Sequence, residues 1–216
     1  MKAQQPLEKI NWSKVHNQFI EQAKPFKKLS SAIVANGPIA LDSPKEKDLF
    51  VFLCRIIVGQ QLSTHVAQTI WSRILEQCNN KTDRLMNLCS ASSAAQLRNC
   101  GLSARKAEAL LRLQKSFKEG EIDQSRIQQL QDEEVVDEIS RIWGLGPWSA
   151  EMVLIGFLGR TDVWSENDGA LKRGINLALD GVKSSHKVVE LFKPYRTLLS
   201  RHIWKALDDG ILTDQN

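Results

Sequence analysis

Residues 139–168 read ISRIWGLGPWSAEMVLIGFLGRTDVWSEND. An apolar helical run ends in the turn Gly144-Leu145-Gly146-Pro147, and a second, almost wholly apolar helix begins at once with Trp148. Pro147 fits the first turn of that helix, where its missing N–H removes no helical bond. One short helix later comes the cluster Glu166-Asn167-Asp168, which opens a third helix. A Gly-x-Gly turn between helices leaves main-chain N–H groups unshielded at a helix N-terminus, a place suited to a phosphate. A carboxylate a short helix away can act on what that phosphate carries.

The same helical spacing extends outward from this stretch. Leu49, Phe52, Leu53, Ile56 and Ile57 trace one apolar stripe, and Val66, Ala67, Ile70, Trp71, Ile74 and Leu75 another behind the cap residues Ser63 or Thr64. Ser103 opens a helix with Ala107, Leu110, Leu111, Leu113 and Phe117, closed by Gly120. Asp132 starts one with Val135, Val136, Ile139 and Ile142. The last runs from about Tyr195 to Leu207. No segment alternates with the period of two that a half-buried strand needs. The expectation is an all-α protein of roughly ten helices. Its turn-rich pieces are too short to be linkers between independent domains.

Composition narrows the function classes only a little. The chain has 216 residues, 42% hydrophobic and 25% charged, which fits one soluble globular domain or two closely joined lobes. Lys and Arg number 29 against 25 Asp and Glu, a net +4 that permits nucleic-acid binding without arguing for it. Cys54, Cys78, Cys89 and Cys100 form no Cys-x-x-Cys pair, so zinc and iron–sulfur ligation are not expected. The N-terminal MKAQQPLEKINW has no apolar core of signal-peptide length. An intracellular, reduced protein that does not enter a membrane is expected.

Several residues could carry chemistry, and each has a plainer structural role beside it. Gly144 and Gly146 could simply let two helices meet closely; as an anchor they give main-chain donors without side chains in the way, and Ser149 adds a hydroxyl donor. Asp168 is a good N-cap residue, and a helix N-terminus also favours its ionised form, which suits a cationic sugar-like transition state. Glu166 is its rival on these grounds. Trp148 stands apart from the core tryptophans because it lies beside the anchor, and an indole face attracts a positively charged extruded base. The histidines share no motif. Arg105 and Lys106, at a helix start, read as a solvated face or as a second phosphate contact.

Val58-Gly59-Gln60-Gln61-Leu62-Ser63, Gly144 through Ala150, Asp162-Val163 through Asp168, and Lys193-Pro194-Tyr195-Arg196 through Trp204 occur in an order that resembles the helix–hairpin–helix (HhH-GPD) DNA glycosylases, nearest the 3-methyladenine DNA glycosylase II branch. The resemblance covers roughly residues 49–207. It implies a single 1–216 domain of two helical lobes, a middle lobe of about 63–165 including the hairpin and another formed by the two terminal segments. A damaged nucleotide would be flipped into the cleft between them.

By position the resemblance makes Asp168 the catalytic aspartate and places Trp148, Trp204 and Met152 around the base. It assigns DNA contacts to Gly144, Gly146 and Ser149, with Gln61 or Leu62 as the wedge that fills the gap left by the flipped base. The carbonyls of Ser140, Ile142 and Leu145 would hold a monovalent cation, Na or K. Members that also cut the strand carry lysine where this chain has Trp148, so base removal without lyase chemistry is implied, with no cofactor needed for catalysis. The expected partner is double-stranded DNA with a damaged base, bound by a monomer. Other lesions (uracil, hypoxanthine, an oxidised purine) and a non-catalytic DNA-binding module remain alternatives. Ser165 replaces a proline common in the family, and neither the N-terminal β-domain nor the iron–sulfur loop of other branches is expected.

Overall fold

The computed structural model describes residues 7–182 and 184–213, and among these it contains helices and no strands. The chain forms two compact units, one from residues 44–158 and one from residues 1–43 together with 159–216. No helix among the described residues is long and apolar enough to cross a membrane.

The 44–158 unit holds α3 (Leu49–Gly59), α4 (Thr64–Gln77), α5 (Leu85–Leu88), α6 (Ala94–Asn99), α7 (Ala104–Lys118), α8 (Gln124–Ile127), α9 (Asp132–Ser140) and α10 (Pro147–Gly156). Asp48 caps α3 by accepting the Val51 N–H at 3.1 Å, and the Gln124 side chain accepts the Leu49 N–H at 2.8 Å. The helix then buries Leu49, Phe50, Val51, Leu53, Cys54, Ile57 and Val58, more than one stripe, which makes it the centre of its unit. Helices α7 and α10 both lie against it. Gly156 lets α10 approach closely, for a Cβ there would stand 2.7 Å from the Phe52 ring. The unit accordingly runs from Pro44 to Leu158 rather than from about 63 to 165, since α3 packs with α4, α7 and α10. Ser63 and Ser103 cap α4 and α7 as their sequence positions suggest. All four cysteines are reduced and buried here, and burial pushes the Cys54, Cys78 and Cys100 thiols up from their usual pKa.

The other unit holds α1 (Trp12–Ala23), α2 (Lys27–Asn36), α11 (Gly169–Leu179), α12 (Ser185–Glu190) and α13 (Arg196–Asp208). Phe19 and Phe192 meet edge to face at 4.8 Å within its core. Gly174 lets α11 and α13 cross closely: a Cβ there would lie 2.9 Å from Leu207 Cδ1. The start of α13 ties down the segment that leads to Asp168. Arg196 forks onto the Asp162 carboxylate at 2.8 and 3.1 Å and donates to Glu190 at 3.0 Å. Thr197 donates to the Arg160 carbonyl at 2.8 Å and accepts the Val163 N–H at 3.0 Å.

His16 and His202 stack in this core with ring centroids 5.7 Å apart. Asn36 donates to the His202 carbonyl at 2.8 Å and lies 3.2 Å from its Nδ1. Burial, with His16 adding to it, pushes the His202 pKa down to about 3. The unfolded chain takes up this proton near pH 6.5, whereas the folded chain refuses it until about pH 3, so the unfolded state binds more protons throughout that window. Stability is therefore expected to fall as pH drops from 6.5 towards 3, at up to about 1.4 kcal/mol per pH unit from this group. Thermal melts across the window should show a shallower slope for His202→Gln. An unchanged slope would rule His202 out as the source.

Candidate active site

The hairpin is built from α9, a tight turn and α10. Glu134 accepts the Gln131 N–H at 2.8 Å and fixes the start of α9. The turn closes with Leu145 N–H on the Ile142 carbonyl at 3.0 Å, and Gly144 adopts φ +89°, a conformation that favours glycine. A Cβ on Gly144 would stand 2.8 Å from Ala109 Cβ, so the turn rests directly on α7. Gly146, extended, is the N-cap of α10, and Pro147 follows at the first helical position. The N-cap makes no side-chain hydrogen bond to this helix start, and a helix N-terminus is a place that anions favour.

The hydroxyl of Ser149 is not the outward donor expected from sequence. Ser149 is 1% exposed, and its Oγ accepts the Gln60 amide at 3.4 Å, so it braces the turn from within. Gln60 also donates to the Gly144 carbonyl at 3.0 Å. Gln61 and Leu62 are both exposed, Leu62 at 38%, and Gln61 sits in the left-handed region at φ 55°. Lys106 is not simply a solvated face: its half-buried ammonium donates to the carbonyls of Val58 at 2.8 Å and Gln60 at 2.7 Å.

The residues expected to hold a cation suit one. The Ile142 carbonyl accepts the Leu145 N–H, while those of Ser140 and Leu145 accept none of the turn's main-chain bonds. A carbonyl carries two lone pairs, so all three can face a weakly demanding monovalent ion. The Ser140 Oγ is buried without a partner nearby.

Asp168 is the N-cap of α11. Its Oδ1 accepts the Leu171 N–H at 2.7 Å and the Trp204 indole N–H at 3.3 Å. The side chain is thus fixed by a helix end and by an aromatic ring, and the residue is 9% exposed. Glu166 is exposed, 3.4 Å from His186 Nδ1, without such fixed donors. Ser165 is 1% exposed, and its carbonyl accepts the Asp168 N–H at 3.3 Å.

The structure thus brings Trp204 to Asp168 in one unit. In the other it brings Gly144 and Ser149 to Gln60, with Gly146 between them in the chain. Trp148 and Met152, both half-buried, are four residues apart on α10 and share one of its faces. Trp204→Phe would keep a ring and remove the N–H. A hydrogen bond to a charged acceptor contributes about 1.5–3 kcal/mol, so any reaction step that the Asp168 carboxylate carries should slow about tenfold or more. Single-turnover rates with saturating enzyme check this, and wild-type rates would sink it.

Sequence reasoning missed two groups that the structure makes prominent. One is the Gln60–Lys106 pair, whose signal was an amide beside a turn and a lysine in the first turn of a helix. The other is Arg196 with Asp162 and Thr197. Both sets act across more than thirty residues of chain, as the 34-residue span from Asp162 to Arg196 illustrates, and no local pattern links them.

A family model described as HhH-GPD superfamily base excision DNA repair protein matches residues 54–195. The DNA-3-methyladenine glycosylase 1 of Schizosaccharomyces pombe is 28% identical over 170 residues, 76% of this chain and 75% of its own length. The DNA-3-methyladenine glycosylase of Saccharomyces cerevisiae is 29% identical over 77% of this chain, which spans 60% of that relative's length. Among solved structures, a 3-methyladenine DNA glycosylase of Schizosaccharomyces pombe in complex with abasic DNA superposes with a TM-score of 0.75 at 25% identity, covering 93% of this chain and all of that one. A DNA-3-methyladenine glycosidase from Bacillus halodurans gives a TM-score of 0.69 at 28% identity over 88% of each chain.

Proposed function

The chain belongs to the HhH-GPD superfamily of base excision DNA repair proteins, and from that membership we propose that it is a monofunctional DNA glycosylase removing alkylated purines such as 3-methyladenine and 7-methylguanine. The observation that carries this reading is the carboxylate of Asp168, fixed at a helix N-terminus by the Leu171 N–H and by the Trp204 indole.

The chemistry follows from charge. Alkylation at N3 or N7 gives the purine a positive charge, so the base leaves with the electron pair of the N-glycosidic bond and needs no strong acid. Positive charge then develops on the sugar, where an ionised Asp168 stabilises it. Water adds its oxygen to C1′ and loses a proton, with Asp168 oriented to receive it or pass it to solvent. Indole faces at Trp148 and Trp204, with Met152, suit a cationic base. The N-terminus of α10, opened by Gly144 and Gly146, grips a phosphate of the damaged strand. The carbonyls of Ser140, Ile142 and Leu145 would hold Na or K there, and such an ion, when bound, supplies positive charge beside that phosphate. Trp148, at the position where strand-cutting members carry lysine, offers no amine for a Schiff base. The enzyme would act as a monomer inside the cell.

Release of free base from duplexes carrying 7-methylguanine or 3-methyladenine tests the reading, with uracil, hypoxanthine and 8-oxoguanine duplexes alongside. Release of the alkylated bases alone, or fastest, is the expected result. Silence on both alkylated substrates while another lesion is excised would overturn the substrate class. Silence on all of them would overturn the enzyme.

A further inference from the structure

One chain of hydrogen bonds runs through three elements of the 44–158 unit. Lys106, in the first turn of α7, donates to the carbonyls of Val58 and Gln60 at 2.8 and 2.7 Å, at the C-terminal end of α3 where carbonyls lack helical partners. Gln60, the C-cap of α3, then donates through its side chain to Gly144 of the hairpin at 3.0 Å and to Ser149 Oγ at 3.4 Å. Gln61 follows directly, a non-glycine residue at φ 55°. That conformation is disfavoured for an L-residue and persists only where its neighbours are held.

We infer that Lys106 and Gln60 are positioning residues that lock the Gln61-Leu62 turn in register with the phosphate-gripping hairpin. The locked turn is what would enter the base stack, so the inference rests on the base-flipping reading above and deepens it. The half-buried ammonium of Lys106 forms no ion pair among the described residues, and burial lowers its pKa. Two carbonyls are its partners in place of a carboxylate, an arrangement that suits a strut better than a surface charge. A hollow of about 370 Å³ is lined by Gln61, Arg105, Lys106 and Gly144, so the turn and the hairpin open on the same space. A side chain that enters the stack must stand at a fixed distance from the phosphate grip, and this chain of bonds sets that distance.

The test uses the full chain and two probes, an intact duplex and the same duplex with a tetrahydrofuran abasic site, titrated by anisotropy at several salt concentrations. Wild type should prefer the abasic duplex, whose gap accepts the wedge without unstacking a base. Lys106→Met and, independently, Gln60→Leu should each lose about tenfold of that preference, with unchanged affinity and salt slope on the intact duplex. Lys106→Arg, which can still reach carbonyls, should recover most of it. Undiminished preference in both variants would overturn the inference. So would a Lys106→Met variant that weakens on both duplexes with a shallower salt slope, since that marks a direct phosphate contact. Because neither probe holds a base to excise, a failure to release base would count against the glycosylase reading and leave this comparison standing.

Discussion

Asp168→Asn is expected to slow release of an alkylated base by about a hundred- to ten-thousandfold while leaving the fold intact. Asparagine is nearly isosteric and as good an N-cap as aspartate. Its carbonyl oxygen can still accept the Leu171 N–H and the Trp204 indole N–H that Oδ1 accepts now. What disappears is the negative charge, and with it the stabilisation of a positively charged sugar in a largely buried setting where such a charge is felt strongly. Asp168→Ala provides the contrast, because it removes the cap as well and should lower stability by about 1 kcal/mol. Single-turnover release and thermal melts on both variants separate the two roles. An Asn variant within tenfold of wild type would show that the carboxylate does not carry the reaction.

The second large effect lies in the hairpin, whose two glycines should answer differently to the same substitution. Gly144→Ala forces a side chain onto a residue at φ +89° and drives its Cβ to 2.8 Å from that of Ala109, itself 3% exposed. Left-handed strain of about 1–3 kcal/mol and a clash of similar size should together lower stability by about 3 kcal/mol and displace the turn. Gly146→Ala meets nothing within 4 Å, and its backbone at φ −147° is open to any residue. Stability should stay within about 0.5 kcal/mol, while the new methyl stands at the mouth of the α10 N-terminus and weakens duplex binding. Melts and duplex titrations on the pair check this. Equal stability losses at both positions would mean that the turn is held by something other than the Gly144–Ala109 contact.

The helices were legible because apolar residues recur with the period of a helix and because Ser63, Ser103 and Asp168 are caps recognisable from sequence. Each of these three accepts an N–H three residues on. The hairpin was legible from its glycines and proline, and Asp168 as a helix-opening carboxylate. What the hairpin glycines do separately was hidden, since only the approach of α7 distinguishes them. Ser149 looked like a donor because a hydroxyl in a first helical turn commonly is one; the Gln60 amide, 89 residues away in the chain, turns it inward. Lys106 misled for the same reason, because its acceptors lie 46 and 48 residues back. Local pattern reports caps and periodicity, whereas partners brought in by packing leave no local trace.

The four cysteines carry one further consequence. Agents that methylate purines are electrophiles, and on proteins they seek sulfur first, attacking the thiolate far faster than the neutral thiol. Cys54 and Cys89 are fully enclosed, Cys78 is 2% exposed and Cys100 4%, and for Cys54, Cys78 and Cys100 burial also disfavours ionisation. The folded chain thus keeps its thiols out of reach of the very reagents whose lesions it would meet.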